Sequence, residues 1–238
     1  MLVHYEVRDA FATITMDDGK ANVMSLQMQA EIHAALDRAA MERPVVVLTG
    51  RPGMFSAGFD LQVLRSGGPG ATDMVVGGFE LARRLLSFPT PVVVAATGHA
   101  VAMGVFVLLS GDYRIGAAGP FKLTANEVAI GLPMPYAATE ILRQRLTPAA
   151  FNRAVTIAEV FSPANAVYAG IIDEVVATDR LTAAIESAAT RMAALDPKAH
   201  AVSKLRARAH ALDAIRRGIE LDLAQLRGPQ NRQEGRTP

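Results

Sequence analysis

Two short runs of β-branched residues constrain the fold of this chain more than any other feature. Val45–Thr49 and residues 91–96 are apolar on both faces, which is typical of strands buried in a covered parallel sheet. Each run leads through a glycine-bearing turn, at residues 55–61 and 98–104, into a stretch able to form a helix. A unit of strand, loop and helix therefore recurs in the first half of the chain, which favours stacked ββα turns.

The remaining sequence predicts a hairpin at the start and helices toward the end. Residues 5–8 and 11–16 alternate apolar with polar positions, which predicts two antiparallel strands. Ser25 is a suitable N-cap, because apolar residues follow it at helical spacing. The other predicted elements are a loop over residues 50–53, a helix over 73–88 that ends at Pro89, a strand over 112–115, and helices beyond it with boundaries at Pro163, Gly170 and Pro197.

Composition and charge exclude several classes of protein. Half of the 238 residues are apolar, which is enough for a sizeable core. The 24 lysines and arginines almost balance the 23 aspartates and glutamates, so no global field recruits nucleic acid or an anionic membrane. The absence of cysteine excludes disulfides, thiolate zinc sites and a cysteine nucleophile. The five histidines show no metal-ligand spacing with nearby carboxylates, so we expect no metal.

Targeting and nucleotide-binding signals are also missing. Residues 1–16 lack the basic start and apolar centre of a signal peptide. The longest apolar stretch, around residues 99–109, is too short to span a bilayer. Neither a glycine-rich dinucleotide fingerprint nor a Walker-type lysine motif follows a strand. We therefore expect a soluble cytoplasmic protein without membrane partners.

The two glycine-bearing turns suggest a site. The first turn of a helix has no internal acceptors for its amides, so a strand-to-helix turn leaves them free. Two such amides aimed at one carbonyl oxygen form an oxyanion hole, which stabilises a developing negative charge. Either turn alone could simply connect a strand to a helix.

Together, in this order and spacing, residues 55–61 and 98–104 resemble the oxyanion loops of the crotonase superfamily, the enoyl-CoA hydratases and isomerases. The resemblance extends from about residue 2 to about residue 227. It implies an α/β ββα spiral core over residues 1–195 and a C-terminal helical trimerisation region over 196–228. A disordered tail is expected over 229–238. The resemblance further implies a homotrimer or a hexamer.

The resemblance identifies two amide donors. In the family's first loop, small-Ala-Gly-X-Asp-Leu, the amide of X binds the thioester oxygen, and X is Phe59 here. The second donor corresponds to Met103, where the family pattern has glycine. An amide survives any side chain except proline, so the donor is intact. The Met103 side chain either narrows the channel or points into the core. Neighbouring positions implied to contact substrate are Ala57, Gly58, Gly104 and Phe106.

The resemblance also implies an acid. The family's hydratases carry two glutamates, and one of these positions is Phe106 here, which cannot transfer a proton. The other is retained as Glu127, and its apolar neighbours predict a raised pKa suited to a general base. Alternatively, Glu127 caps the helix after Pro133 or pairs with Arg143.

One base and two amides favour isomerase over hydratase chemistry. Moving a double bond from β,γ to α,β requires a single carboxylate, whereas adding water calls for two. We therefore expect an enoyl-CoA isomerase of fatty-acid degradation, with coenzyme A as part of the substrate and no other cofactor. The alternatives are an enoyl-CoA hydratase and a catalytically silent acyl-CoA carrier.

Weaker candidates complete the expected site. His99 either contacts the substrate or packs against its loop, and Tyr136 is expected to line the acyl pocket. Lys20 and Ala21 lie in a segment that resembles the family's coenzyme A contact region. Lys20 then meets phosphate, or it is simply a surface charge.

Overall fold

The computed structural model describes residues 1–228. The predicted disordered tail at 229–238 lies outside the described residues. The strands are β1 (Val3–Arg8), β2 (Phe11–Met16), β3 (Val45–Thr49), β4 (Gly53–Ser56), β5 (Val92–Ala96), β6 (Gly98–Val101), β7 (Tyr113–Ala117), β8 (Leu123–Thr124) and β9 (Glu174–Val176). The helices are α1 (Leu26–Glu42), α2 (Leu61–Ser66), α3 (Gly68–Ser87), α4 (Met103–Leu109), α5 (Tyr136–Arg143), α6 (Pro148–Ile157), α7 (Pro163–Ala169), α8 (Leu181–Ala193) and α9 (Pro197–Arg227).

The strands form two sheets that the chain visits alternately. The larger has the order β1-β2-β3-β5-β7-β9 and the smaller the order β4-β6-β8. Among the paired strands of residues 1–228, the β1–β2 hairpin is antiparallel and the other pairs are parallel. Strands β3, β5 and β7 of the large sheet are each followed by a strand of the small one. The expected ββα repeat of an α/β fold is therefore confirmed.

Sequence patterns predicted neither the strands of the small sheet nor β9, which lies where helices were expected. β4, β6 and β8 have four, four and two residues, too few for an alternating pattern to stand out. Residue 53, assigned to a loop, is the first residue of β4. β4 and β6 matter because they lead the chain from the large sheet into the two glycine-bearing turns.

Helix boundaries follow local chemistry with one difference. Ser25 caps α1 by accepting a hydrogen bond from the Met28 amide (3.2 Å). α3 begins at Gly68, five residues before the predicted start at 73. The segment 68–70 reads as a helix breaker, yet its proline stands at the first helical positions, where a missing amide hydrogen is tolerated.

The long helix α9 packs against the core at two points along its length. In its first half, Lys204 and Arg208 contact the carboxylate of Asp112 at 2.7 and 2.9 Å. Further along, Gly218 packs so tightly that an added Cβ would lie 2.7 Å from the amide nitrogen of Ala137. α9 therefore lies directly against the start of α5.

Across residues 1–228, no helix has the length and apolar character needed to cross a membrane.

The closest backbone approach in the small sheet is testable. Gly98 pairs with Gly53, and a Cβ at residue 98 would overlap the Gly53 backbone. We expect Gly98→Ala to lower the free energy of unfolding by about 1–3 kcal/mol through overpacking. Gly70→Ala is the control, because an added Cβ there meets nothing within 4 Å. Urea denaturation would contradict the interpretation if the two variants were equally stable.

Candidate active site

In the loop between β4 and α2, the backbone amides of Phe59 and Asp60 have no acceptor among the described residues. The Ala57 amide donates to the carbonyl of Ala21 (2.9 Å). The Gly58 amide donates to the hydroxyl of Ser56 (3.1 Å). The Phe59 amide has no acceptor among residues 1–228. The Phe59 N–H is therefore available to a ligand.

Asn22 holds this loop in place, and the sequence analysis did not single it out. It is fully buried with φ +49°, a conformation that asparagine tolerates better than most residues. Its side-chain amide donates to the carbonyls of Met16 (2.9 Å) and Phe55 (3.2 Å). Its own carbonyl accepts from the Ser56 hydroxyl (2.7 Å). These buried hydrogen bonds fix the loop from both sides.

In the second loop, the Met103 amide is also free. α4 begins at this residue, so its amide has no acceptor within the helix. The preceding Ala102 has φ +49° and ψ −122°, a combination that L-residues rarely adopt. This backbone conformation turns the chain sharply from β6 into α4 and thereby sets the direction of the Met103 amide.

Glycines allow the two loops to touch. A Cβ at Gly58 would lie 2.8 Å from the Ala102 Cβ and 3.1 Å from the Met103 nitrogen. A Cβ at Gly104 would lie 2.9 Å from the Ser56 Cβ and would overlap its carbonyl oxygen. Because no larger residue permits this approach, Gly58 and Gly104 serve loop packing. The free amides of Phe59 and Met103 thus belong to two loops in direct contact.

The side chains of both donors reach the same residue of α3, Gly78. Met103 is fully buried, and its sulfur lies 3.2 Å from where a Cβ of Gly78 would be. Of the two predicted orientations, Met103 adopts the one that points into the core. The Phe59 ring packs edge-on against Phe79, with centroids 6.1 Å apart, and lines the adjacent cavity.

A cavity of about 350 Å³ opens beside the loops. Its wall includes Ala57 and Phe59 from the first loop and Ala102 from the second. Apolar side chains of α2, α3, residues 130–135 and the end of α9 form most of the rest. The polar side chains in the wall are Asn126, Glu127, Asp222 and Gln225. Such an apolar cavity with few polar groups is typical of a small-molecule site.

Glu127 is the unpaired acid of the cavity. It is 8% exposed, and its Oε2 atom has no hydrogen-bond partner within the described part of the chain. Burial raises the pKa of Glu127 to about 7. A carboxyl group with this pKa can both take up and release a proton near neutral pH.

Neither alternative role for Glu127 is seen in the described residues. It makes no side-chain cap, and Arg143 pairs with Glu140 instead (3.2 Å). The start of α5, which Glu127 could have capped, is occupied by Asp222 of α9.

Asp222 is a second buried carboxylate in the cavity wall, and the sequence analysis missed it. Its two oxygens accept the amides of Tyr136 (2.8 Å) and Ala137 (3.0 Å). Burial raises the pKa of Asp222, and these two hydrogen bonds oppose the shift. Asp222 follows the buried Ile215 and Ile219 at helical spacing. An acid in line with an apolar helix face was the available signal.

Two predicted substrate contacts do not line this cavity. Phe106 is 1% exposed and packs in the core, with its ring centroid 6.0 Å from that of Phe79. His99 accepts the amide of Lys122 at Nδ1 (3.0 Å) and packs edge-on against Phe121. Both side chains therefore support the framework of the loops.

Three further candidates lie outside the cavity wall. Tyr136 is 47% exposed at the start of α5, with its amide bound to Asp222. Lys20 is exposed, and its carbonyl accepts a hydrogen bond from Arg51 (2.7 Å). Ala21 supports the first loop through its carbonyl. In the described part of the chain, no group of three or more histidine, aspartate and glutamate side chains is arranged to hold a metal ion.

Comparison with known proteins matches this geometry to a family. A family model described as enoyl-CoA hydratase/isomerase matches residues 6–237. Human mitochondrial enoyl-CoA delta isomerase 1 is 28% identical over 213 residues, covering 86% of this chain and 69% of the relative. An enoyl-CoA hydratase structure from Mycobacterium marinum is 47% identical with a TM-score of 0.91, covering 95% of this chain and all of the other.

An enoyl-CoA isomerase structure from Mycobacterium tuberculosis is also 47% identical, with a TM-score of 0.91, covering 94% of this chain and 98% of the other. The two loops, the buried acid and the spiral of ββα turns are thus accompanied by similarity along nearly the whole chain. The protein belongs to the enoyl-CoA hydratase/isomerase family of the crotonase superfamily. The similar proteins include both enoyl-CoA hydratases and enoyl-CoA isomerases. The choice between the two reactions must therefore be argued from the residues of the site.

The strained turn at Ala102 yields a prediction. Glycine adopts a positive φ without steric penalty, so we expect Ala102→Gly to raise the free energy of unfolding by about 1 kcal/mol. Ala100→Gly is the matched control, because Ala100 lies in β6 without a positive φ and should lose stability. Denaturant titration of both variants is the measurement. A loss of stability in Ala102→Gly would mean that the backbone is not strained there.

Proposed function

We propose that this protein is an enoyl-CoA isomerase that moves a double bond of an acyl-CoA thioester from the β,γ to the α,β position. The observation that carries the proposal is an unpaired carboxylate in the described cavity wall, Glu127, next to the loops that carry the free amides of Phe59 and Met103. Phe106, buried in the core, stands where the family's hydratases carry a second glutamate. Coenzyme A enters as part of the substrate, and Lys20 is the proposed contact for its phosphates.

The amides of Phe59 and Met103 stabilise the charge that the reaction creates. Removal of a proton from C2 of the acyl chain places negative charge on the thioester oxygen. Fixed amide donors stabilise this enolate without the reorganisation that water would require. Each donor of this kind is worth about 2.7–4 kcal/mol of transition-state stabilisation.

Glu127 moves the proton. Its carboxylate takes the C2 proton, and the electron pair spreads over the thioester oxygen and C4. The resulting carboxylic acid then delivers the proton to C4, which leaves the double bond between C2 and C3. Hydration is less well supported, because the other acid of the cavity, Asp222, has both oxygens bound by backbone amides.

Replacing the proposed base is the direct test. We expect Glu127→Gln to reduce kcat for cis-3-enoyl-CoA by about 100- to 10,000-fold, because the amide cannot accept the proton. Glu140→Gln is the control, since Glu140 pairs with Arg143 on α5 and should retain full activity. Conversion to trans-2-enoyl-CoA is followed spectroscopically.

The same assay separates the competing functions. Formation of 3-hydroxyacyl-CoA from trans-2-enoyl-CoA at a rate above that of isomerisation would favour a hydratase. Tight acyl-CoA binding without turnover by the unaltered protein would favour a carrier. Either result would contradict the isomerase proposal.

The pKa of Glu127 predicts the pH dependence. The base must be ionised to take the C2 proton, so kcat/KM should rise with pH and level off above about 7. An ordinary glutamate, with a pKa of about 4.5, would give a flat profile above pH 6. Initial rates between pH 5 and 9 test this, and a flat profile down to pH 5 would show that Glu127 is not the group that titrates.

A further inference from the structure

Two consecutive residues leave buried oxygen atoms without partners in the cavity. The side-chain atoms concerned are Oδ1 of Asn126 and Oε2 of Glu127. Both residues line the cavity wall. No donor among residues 1–228 reaches either atom. Two consecutive residues thus present an acceptor to the same cavity, and neither acceptor is satisfied by the described residues.

Such an arrangement fits the protonated state of Glu127 better than the ionised state. An ionised carboxylate and an amide oxygen are both acceptors only, and buried acceptors without donors are unfavourable. A protonated carboxyl group has one O–H, which can donate to the amide oxygen and satisfy both atoms. Asn126 therefore suits the form of Glu127 that exists after proton removal from the substrate.

Other charged groups around Glu127 are already paired. In the cavity wall the other titratable side chain is Asp222 of α9, whose oxygens bind the Tyr136 and Ala137 amides. On α5, Glu140 pairs with Arg143. On α6, which packs against the turn that follows Glu127, Arg153 pairs with Glu159. These groups offer Glu127 no competing donor.

We propose that Asn126 is a positioning residue that accepts a hydrogen bond from the protonated carboxyl of Glu127 and holds the transferred proton inside the cavity. In the proposed isomerisation, the C2–H bond breaks and its proton passes to Glu127. The O–H then rests against Asn126 Oδ1 until the C4–H bond forms and Glu127 is ionised again. The role in turnover rests on the proposed function, whereas the hydrogen bond does not.

The hydrogen bond is tested without turnover. Titration of the Glu127 carboxyl by ¹³C NMR, assigned by its loss in Glu127→Gln, gives its pKa directly. We expect the pKa to fall by about half a unit to one unit in Asn126→Ala, because the neutral form loses an acceptor. Asn126 Oδ1 has no hydrogen-bond partner in the described residues, so we expect the fold to persist in Asn126→Ala, and a thermal melt checks it.

Leu64→Ala is the matched control, since it also enlarges the cavity and admits water but removes no acceptor. Its pKa shift should be smaller than that of Asn126→Ala. An equal or larger shift in the control would overturn the proposal. So would a pKa increase in Asn126→Ala, which would mean that the amide nitrogen, a donor, faces the carboxylate.

Proton retention tests the role in turnover. With cis-3-enoyl-CoA deuterated at C2, the unaltered enzyme should carry part of the label to C4, and Asn126→Ala should lose more of it to water. Absence of turnover by the unaltered enzyme would reject the proposed function while the NMR titration still decides the hydrogen bond. Normal turnover with unchanged retention in Asn126→Ala would reject the positioning role alone.

Discussion

The contact between two backbone loops is the constraint on which the rest of the site depends. Gly58 and Gly104 allow the β4–α2 and β6–α4 loops to approach within van der Waals distance. Around that contact, the backbone amides of Ala57 and Gly58 donate hydrogen bonds to neighbouring residues. Asn22 and Ser56 hold the first loop in place through buried hydrogen bonds. The Phe59 and Met103 amides stay free because the polar groups around them already have hydrogen-bond partners. A rigid site keeps donors available for a ligand in this way.

The C-terminal helix completes this site from the opposite end of the sequence. Asp222 binds the first amides of α5, and Gly218 permits the close packing that brings it there. The segment that carries Glu127 runs into α5, so α9 fixes one end of that segment. The same turns of α9 contribute Gln225 and Leu226 to the cavity wall. A helix that looks like an appendage in the sequence is therefore a structural part of the pocket.

The sequence contained much of the fold and less of the site. The buried strands β3 and β5 and the cap at Ser25 were predictable, because burial on both faces and a capping hydroxyl are local signals. Asp222 was not, since the partner of a buried acid depends on tertiary packing across more than 80 residues. His99 and Phe106 were placed near the substrate by sequence position, yet neither lines the cavity.

The burial of Glu127 opposes the stability of the fold. Below the unfolded pKa of about 4.5 the carboxyl is neutral in both states, and burial carries no charge penalty. Between that value and about 7 the unfolded chain ionises more readily than the folded one, so stability falls as pH rises. The shift corresponds to a penalty on the order of 3 kcal/mol at pH 8. The buried Glu127 carboxyl lowers the stability of the fold at neutral pH, and it lies beside free backbone amides. A role in chemistry at the cavity explains this acid better than a role in supporting the fold.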